Sequence, residues 1–152
     1  MDILDAFVRL LAATVAGCAF GINRDLHAKP TGVRTLGLVS LGSALAVMAG
    51  AELGGDAASR VMQGIVTGIG FLGAGVIMRP GSSFQVHGLT TAATTWLTAC
   101  VGMVCAIAAW QIVVPGLALA FVVLIWGGDF EEWLRRRLRP KAEQDTPPPD
   151  TR

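Results

Sequence analysis

Long apolar stretches alternate with short polar ones along the chain. Five apolar segments stand out, at about residues 3–22, 35–51, 61–78, 90–110 and 112–128. A helix needs about 20 mainly apolar residues, within a range of about 17–25, to cross the hydrocarbon core of a bilayer. The pattern therefore predicts an all-α, polytopic membrane protein with five transmembrane helices.

The composition fits this fold class. Of the 152 residues, 53% are hydrophobic and only 15% are charged, whereas soluble domains carry about 25% charged residues. We expect a transmembrane domain at residues 1–128 and an interfacial, basic helix end at 129–140. Residues 141–152 include three consecutive prolines and few apolar residues, which predicts a disordered, Pro-rich tail.

Lysine and arginine are unevenly distributed between the polar segments. Residues 22–34 hold three of them and the chain after residue 134 holds six, whereas the segment 51–60 has only Arg60. Cytoplasmic loops of membrane proteins carry the excess of basic residues. The distribution therefore predicts an N-terminus outside and a C-terminus in the cytoplasm, as an odd number of spans requires.

The third apolar segment is unusually rich in glycine. On a helical wheel Gly64, Gly68 and Gly75 fall within about 40° of one another. Thr67 and Gly70 share a second face that is small and polar. Glycine lets the backbones of membrane helices approach closely, so the pattern predicts a central helix with close neighbours on both faces. Homo-oligomers could form through the same glycines.

A stripe of threonines marks the fourth segment. Thr91, Thr94, Thr95 and Thr98 fall within an arc of about 100° on the helical wheel. Two interpretations stay open. The hydroxyls can bond back to carbonyls one turn earlier or to a neighbouring helix, which is the more common use. Alternatively, they line a hydrated path across the membrane.

The first segment contains an ionisable pair at helical spacing, Asp5 and Arg9. An arginine within a membrane helix is unfavourable by roughly 2.5–3.5 kcal/mol on insertion scales, so it needs water or a partner. Asp5 is close enough to be that partner. The two charged side chains could simply snorkel to the outer membrane interface. Alternatively, they could form a vestibule that interacts with ions.

Residue patterns typical of enzymes are missing from the sequence. There is no phosphate-binding loop, no HExxH or GxSxG motif and no cluster of cysteines and histidines. We expect no enzymatic activity, no resident cofactor and no nucleic-acid partner. Magnesium would enter only as a ligand or a substrate.

Three blocks of sequence carry a family resemblance: residues 21–25 with 30–43, residues 63–75, and residues 86–93. Besides the glycines and threonines above, they contain Arg24, Asp25, Arg34, Thr35, Gly73, His87, Gly88 and Thr90. In this order and spacing they resemble the MgtC/SapB family of bacterial inner-membrane proteins, over about residues 4–125. This chain looks like a short form, without the ACT-like domain that follows the fifth span in longer members.

The resemblance implies a multi-pass protein of the bacterial inner membrane with a role in magnesium homeostasis or magnesium transport. In pathogens the family is associated with virulence. The alternative is a non-transporting regulator that binds other membrane proteins, such as ATP synthase or a transporter, through small-residue helix faces. If the chain conducts ions, the threonines would line the path, and Arg24, Asp25 and Arg34 would act at its cytoplasmic mouth.

Overall fold

The computed structural model describes residues 2–77 and 88–138, and in these residues five helices follow one another. They are α1 (Ile3–Leu26), α2 (Val33–Glu52), α3 (Ala57–Ile77), α4 (Leu89–Ala106) and α5 (Trp110–Leu138). Each is long and apolar enough to cross a membrane. The predicted all-α fold with five membrane-spanning helices is therefore confirmed, while the orientation of the termini stays a prediction.

The chain divides into two compact units, residues 1–117 and 118–152. In the first unit α4 packs against α1, α2 and α3, and α2 also packs against α1 and α3. In the most apolar window of α4 56% of the residues are buried, against 6% in α3. The expectation that the glycine-rich third helix is the central one was wrong. The threonine-bearing α4 has that place.

Close approach of α1, α2 and α4 depends on glycines outside α3. A Cβ added to Gly17 or to Gly102 would collide with Ser40, which lies between them on α2. A Cβ on Gly21 would overlap the backbone of Val33. Gly17 and Gly21 are four residues apart on one face of α1, the small-xxx-small spacing that lets membrane helices meet.

The second unit is described as far as Leu138 and is helical throughout. Glu131 forms an exposed ion pair with Arg135 at 3.1 Å, and the guanidinium of Arg137 lies 5.2 Å from the ring centroid of Trp133. The segment predicted as a basic helix end thus continues α5 to residue 138. The predicted disordered tail, 141–152, falls outside the described residues.

Candidate functional site

Arg24 is a buried cation in the last turn of α1. The residue is only 5% exposed. Its Nη2 donates a hydrogen bond to Oγ1 of Thr91 in the first turn of α4. Within residues 2–77 and 88–138, nothing accepts a hydrogen bond from Nε and no carboxylate pairs with the guanidinium. A charged group this poorly compensated is unfavourable in a membrane protein, so Arg24 is a candidate functional residue.

Asp25 does not neutralise Arg24 but caps the neighbouring helix. Its Oδ2 accepts a hydrogen bond from the backbone amide of Val33 at 3.0 Å. The N-cap position of α2 is Gly32, which has no side chain to fill this role, and a Cβ there would overlap the Asp25 carboxyl group. Carboxylates stabilise helix N-termini because they accept unpaired amides and oppose the positive end of the helix dipole.

Arg9 binds the opposite end of α4. Its Nε and Nη2 pair with the Asp5 carboxylate at 3.0 and 2.7 Å, as the i,i+4 spacing indicated. In addition, Nη1 donates to the carbonyl oxygen of Ala106 at 2.8 Å. Ala106 is the last residue of α4, where carbonyls lack intrahelical partners and a cation is favoured. This second bond had no signal in the sequence.

Beside Arg9 lies a cavity of about 270 Å³ that is also lined by Glu52 of α2 and Ile107 after α4. The cavity therefore places a cation and a carboxylate on its wall, as an ion-interacting vestibule would. Among the described residues, no group of three or more histidine, cysteine, aspartate or glutamate side chains is placed to hold a metal ion.

Four threonines of α4 face the interior of the first unit and are at most 3% exposed, namely Thr91, Thr94, Thr95 and Thr98. Three of their hydroxyls donate to carbonyls four residues earlier, with Thr94 bonded to Thr90 at 2.7 Å, Thr95 to Thr91 at 2.9 Å and Thr98 to Thr94 at 2.7 Å. Since these three protons are engaged, their hydroxyl oxygens present only acceptor sites to their surroundings. The hydroxyl oxygen of Thr91 accepts the hydrogen bond from Arg24.

Ser40 of α2 contributes a further polar atom to this interior. It is 0% exposed, and its Oγ has no hydrogen-bond partner in the part of the chain that the structure describes. Buried polar atoms are nearly always hydrogen-bonded in proteins. Among the described residues, Ser40 Oγ and Arg24 Nε are thus both buried polar atoms without a hydrogen-bond partner.

Arg34 and Thr35 lie in the first turn of α2. Both are exposed, and both line an open groove of about 640 Å³ between α2 and α3. Arg34 is therefore exposed at the groove, whereas Arg24 is buried and bonded to Thr91. The structure places Arg34 at the edge of an apolar surface.

Most glycines of α3 lie on a surface that the first unit leaves open. A Cβ would meet nothing within 4 Å at Gly64, Gly68, Gly70 or Gly75. Only Gly73 is buried, with a Cβ there 3.5 Å from the Cβ of Ala92 on α4. Thr67 is exposed on the same helix. Within the described residues, these glycines of α3 therefore have no close neighbour except at Gly73.

Gly88 and Thr90 open α4, and of these only the glycine is structurally constrained. Gly88 has φ +94°, and a Cβ on it would come within 2.9 Å of the carbonyl oxygen of Val76. Both the left-handed backbone and this contact require glycine. Thr90 is exposed, and its carbonyl accepts the Thr94 hydroxyl. His87 lies outside the described residues.

Comparison with known proteins identifies a family and several relatives of this chain. The sequence profile described as the MgtC family matches residues 10–133. The chain belongs to the MgtC family. Protein SrpB of Synechococcus elongatus is 38% identical over 98% of this chain and 91% of its own length. No solved structure matches the chain.

The relatives named MgtC are longer than this family member. Protein MgtC of Salmonella typhimurium is 38% identical over 77% of this chain and 48% of its own length. Protein MgtC of Brucella abortus is 43% identical over 63% of this chain and 40% of its own length. The chain therefore spans about half or less of the MgtC relatives but most of SrpB.

Sequence reasoning missed the glycines that carry the helix packing of this MgtC-family chain. It concentrated on α3, where glycine is most frequent, whereas the close contacts occur at Gly17, Gly21 and Gly102. The four-residue spacing of Gly17 and Gly21 was a visible signal. No comparable signal pointed to Ser40, because one serine in an apolar helix does not reveal which neighbour it meets.

Proposed function

We propose that this protein serves magnesium homeostasis in the bacterial inner membrane, and that it acts by docking laterally on other membrane helices. The docking surface is the glycine face of α3, formed by Gly64, Gly68 and Gly75. The observation that carries the proposal is that, among the described residues, nothing lies within 4 Å of a Cβ added to any of these three glycines. The magnesium role and the inner-membrane location rest on the MgtC/SapB resemblance.

The chemistry of this surface favours a protein neighbour over lipid. Small residues contribute little by themselves in contact with acyl chains, but they allow a second helix to approach closely and gain van der Waals contact. Thr67 also lies exposed on α3, and its hydroxyl oxygen can accept a hydrogen bond from a neighbouring membrane helix but not from lipid tails. A second helix could supply both the close van der Waals contact and a hydrogen bond to Thr67.

The occupant would be a further copy of this chain or another membrane protein, such as the ATP synthase or transporter that the family resemblance implies. Either one would couple the chain to magnesium balance without ion conduction or enzymatic chemistry. The role needs no cofactor, and magnesium would act on the assembly as a ligand or through the partner's activity.

Substitution of Gly68 or Gly75 by leucine tests the docking surface. Tagged variants are purified from native membranes in mild detergent and assayed for co-purifying membrane proteins and for growth in low magnesium. Gly116→Leu is the matched control, because Gly116 on α5 also has nothing within 4 Å of an added Cβ. Loss of the same partner in both α3 variants, with insertion intact, supports docking. Retention of every partner contradicts it.

Ion conduction along α4 is the second candidate function. It is favoured by the oxygens of Thr94, Thr95 and Thr98, whose protons are engaged. The Oγ of Ser40, which has no hydrogen-bond partner among the described residues, also favours it. Purified protein in liposomes would then pass magnesium, sodium or protons, and Thr91→Val with Thr95→Val would reduce the flux. Absence of flux, or flux that the valines leave unchanged, removes this candidate.

A further inference from the structure

The groove between α2 and α3 has the dimensions of a ligand site. Its volume of about 640 Å³ lies within the range of about 300–1,000 Å³ that is usual for small-molecule sites. Apolar side chains form most of its walls, with Leu38 and Val39 from α2 and Ile65, Ile69 and Leu72 from α3. Leu38 is 68% exposed and Leu72 is 49% exposed, so the groove is open along its length.

Exposed polar groups occur at one end of the groove. Arg34 and Thr35 belong to the first turn of α2, whereas Gly42 lines the groove eight residues further along the same helix. At 1.5 Å per residue this places the two ends of the α2 wall about 12 Å apart. Ser43 is the remaining polar lining residue and is 6% exposed. The groove is therefore amphipathic along its axis.

The polar end is cationic. Arg34 forms no ion pair with any residue in the described ranges, and the nearby Asp25 carboxylate is engaged by the Val33 amide instead. A guanidinium beside a hydroxyl matches the geometry of a phosphate group, which accepts bidentate hydrogen bonds from arginine.

These features together match one class of occupant. We propose that the groove binds one acidic glycerophospholipid, with its phosphate at Arg34 and Thr35 and one acyl chain along Leu38, Ile65 and Ile69. The predicted topology puts Arg34 on the cytoplasmic side, where acidic lipids attract basic residues next to a membrane helix. This lipid site is separate from the glycine face of α3, because Ile65, Ile69 and Leu72 lie on a different side of that helix.

Native mass spectrometry of the full-length protein tests the site with phosphatidylglycerol, and with phosphatidylcholine of identical acyl chains. We expect one phosphatidylglycerol to bind preferentially. Arg34→Gln should weaken that binding about fivefold, the effect of one basic residue at an anionic headgroup, and bring it to the level of phosphatidylcholine. Lys29→Gln is the control, because Lys29 is a loop cation that does not line the groove.

Filling the apolar end tests the acyl-chain part of the proposal. Gly42→Leu should weaken the binding of both phosphatidylglycerol and phosphatidylcholine. The fold should tolerate the change because a Cβ on Gly42 meets nothing within 4 Å among the described residues. Ile65→Trp fills the groove from the opposite wall if Gly42→Leu does not fold. Gly116→Leu adds the same side chain outside the groove and should leave binding unchanged.

Several results would overturn the lipid site. One is phosphatidylglycerol binding that survives Arg34→Gln, and another is binding that survives both groove-filling variants. Displacement of the lipid by inorganic phosphate at equal concentration would show a free-anion site instead. An oligomer of the wild-type chain that Gly42→Leu converts to a monomer would show that the groove holds a second copy.

Discussion

Arg24 of α1 donates a hydrogen bond to Thr91 of α4, and fifteen residues earlier Arg9 of the same helix donates to the carbonyl oxygen of Ala106. Thr91 lies in the first turn of α4 and Ala106 is its last residue. Two arginines of one helix therefore hold the central helix at both ends. Because α4 also contacts α2 and α3, its position determines the packing of the first unit.

The hydrogen bond between Arg24 and Thr91 predicts that removing the acceptor destabilises the protein more than removing the arginine itself. Thr91→Val preserves shape but removes the acceptor from a guanidinium whose Nε already lacks a partner. We expect a loss of about 1–3 kcal/mol, the usual effect of leaving a buried polar group unpaired. Thermal unfolding of the purified protein in detergent measures it.

Arg24→Met provides the contrast, since it removes the buried charge together with its unfulfilled hydrogen bonds. Replacement of a poorly compensated buried charge by an apolar side chain is often neutral or stabilising. We expect stability at or above that of the wild type, with loss of growth in low magnesium if Arg24 is functional. A variant that is less stable than the wild type yet still restores growth would show a purely structural role.

Arg9 and Asp5 should contribute unequally to stability. Asp5→Asn weakens a pair whose side chains are 23% and 42% exposed, and such pairs contribute about 0.2–1 kcal/mol. Arg9→Gln also removes the charged donor at the end of α4, and hydrogen bonds to charged groups contribute about 1.5–3 kcal/mol. Unfolding in detergent should therefore rank Arg9→Gln as the more damaging change.

Arg60→Gln serves as the control for that comparison. Arg60 pairs with Asp56 at the same i,i+4 spacing, but the two side chains are 69% and 72% exposed and no bond from Arg60 to another helix accompanies the pair. Its loss should be barely measurable. Equal effects of Arg9→Gln and Arg60→Gln would show that the bond to Ala106 contributes nothing.

Replacing glycine by alanine should change the free energy of unfolding in opposite directions at two positions of this chain. Gly21→Ala forces a methyl group into the backbone of Val33, and overpacking of this kind is unfavourable by about 1–3 kcal/mol. Gly64→Ala meets nothing within 4 Å and gains up to about 1 kcal/mol from helix propensity. Unfolding of detergent-solubilised monomers distinguishes the two, and similar losses at both positions would contradict the assignment.

Sequence alone predicted the spans well because length and hydropathy determine which segments can cross a bilayer. It also predicted the Asp5–Arg9 pair, since residues four apart on a helix are neighbours. It could not predict which helix is central. A helical wheel gives the faces of α3, but the choice of neighbour for each face depends on how all helices pack together.

The candidate site likewise has features that depend on local sequence and features that depend on how the helices pack together. The burial of Thr91, Thr95 and Thr98 follows from the central position of α4, and their back-bonding is a local property of threonine in a membrane helix. The partner of Arg24 is 67 residues away along the chain, so no local pattern could reveal it. The open groove at Arg34 likewise exists only once α2 and α3 are placed side by side.

Asp25 and Gly32 should behave as one unit at the start of α2. Asp25→Ala removes the cap on the Val33 amide, with an expected loss of about 0.5–2 kcal/mol. Gly32→Ala should be comparably harmful, because its Cβ would overlap the same carboxyl group. In the double variant that overlap is gone, so its loss should be smaller than the sum of the two single losses. Unfolding of the four proteins gives the coupling directly. Strict additivity would mean that a Cβ at position 32 does not meet the Asp25 carboxylate, and an Asp25→Ala variant as stable as the wild type would mean that the carboxylate does not cap α2.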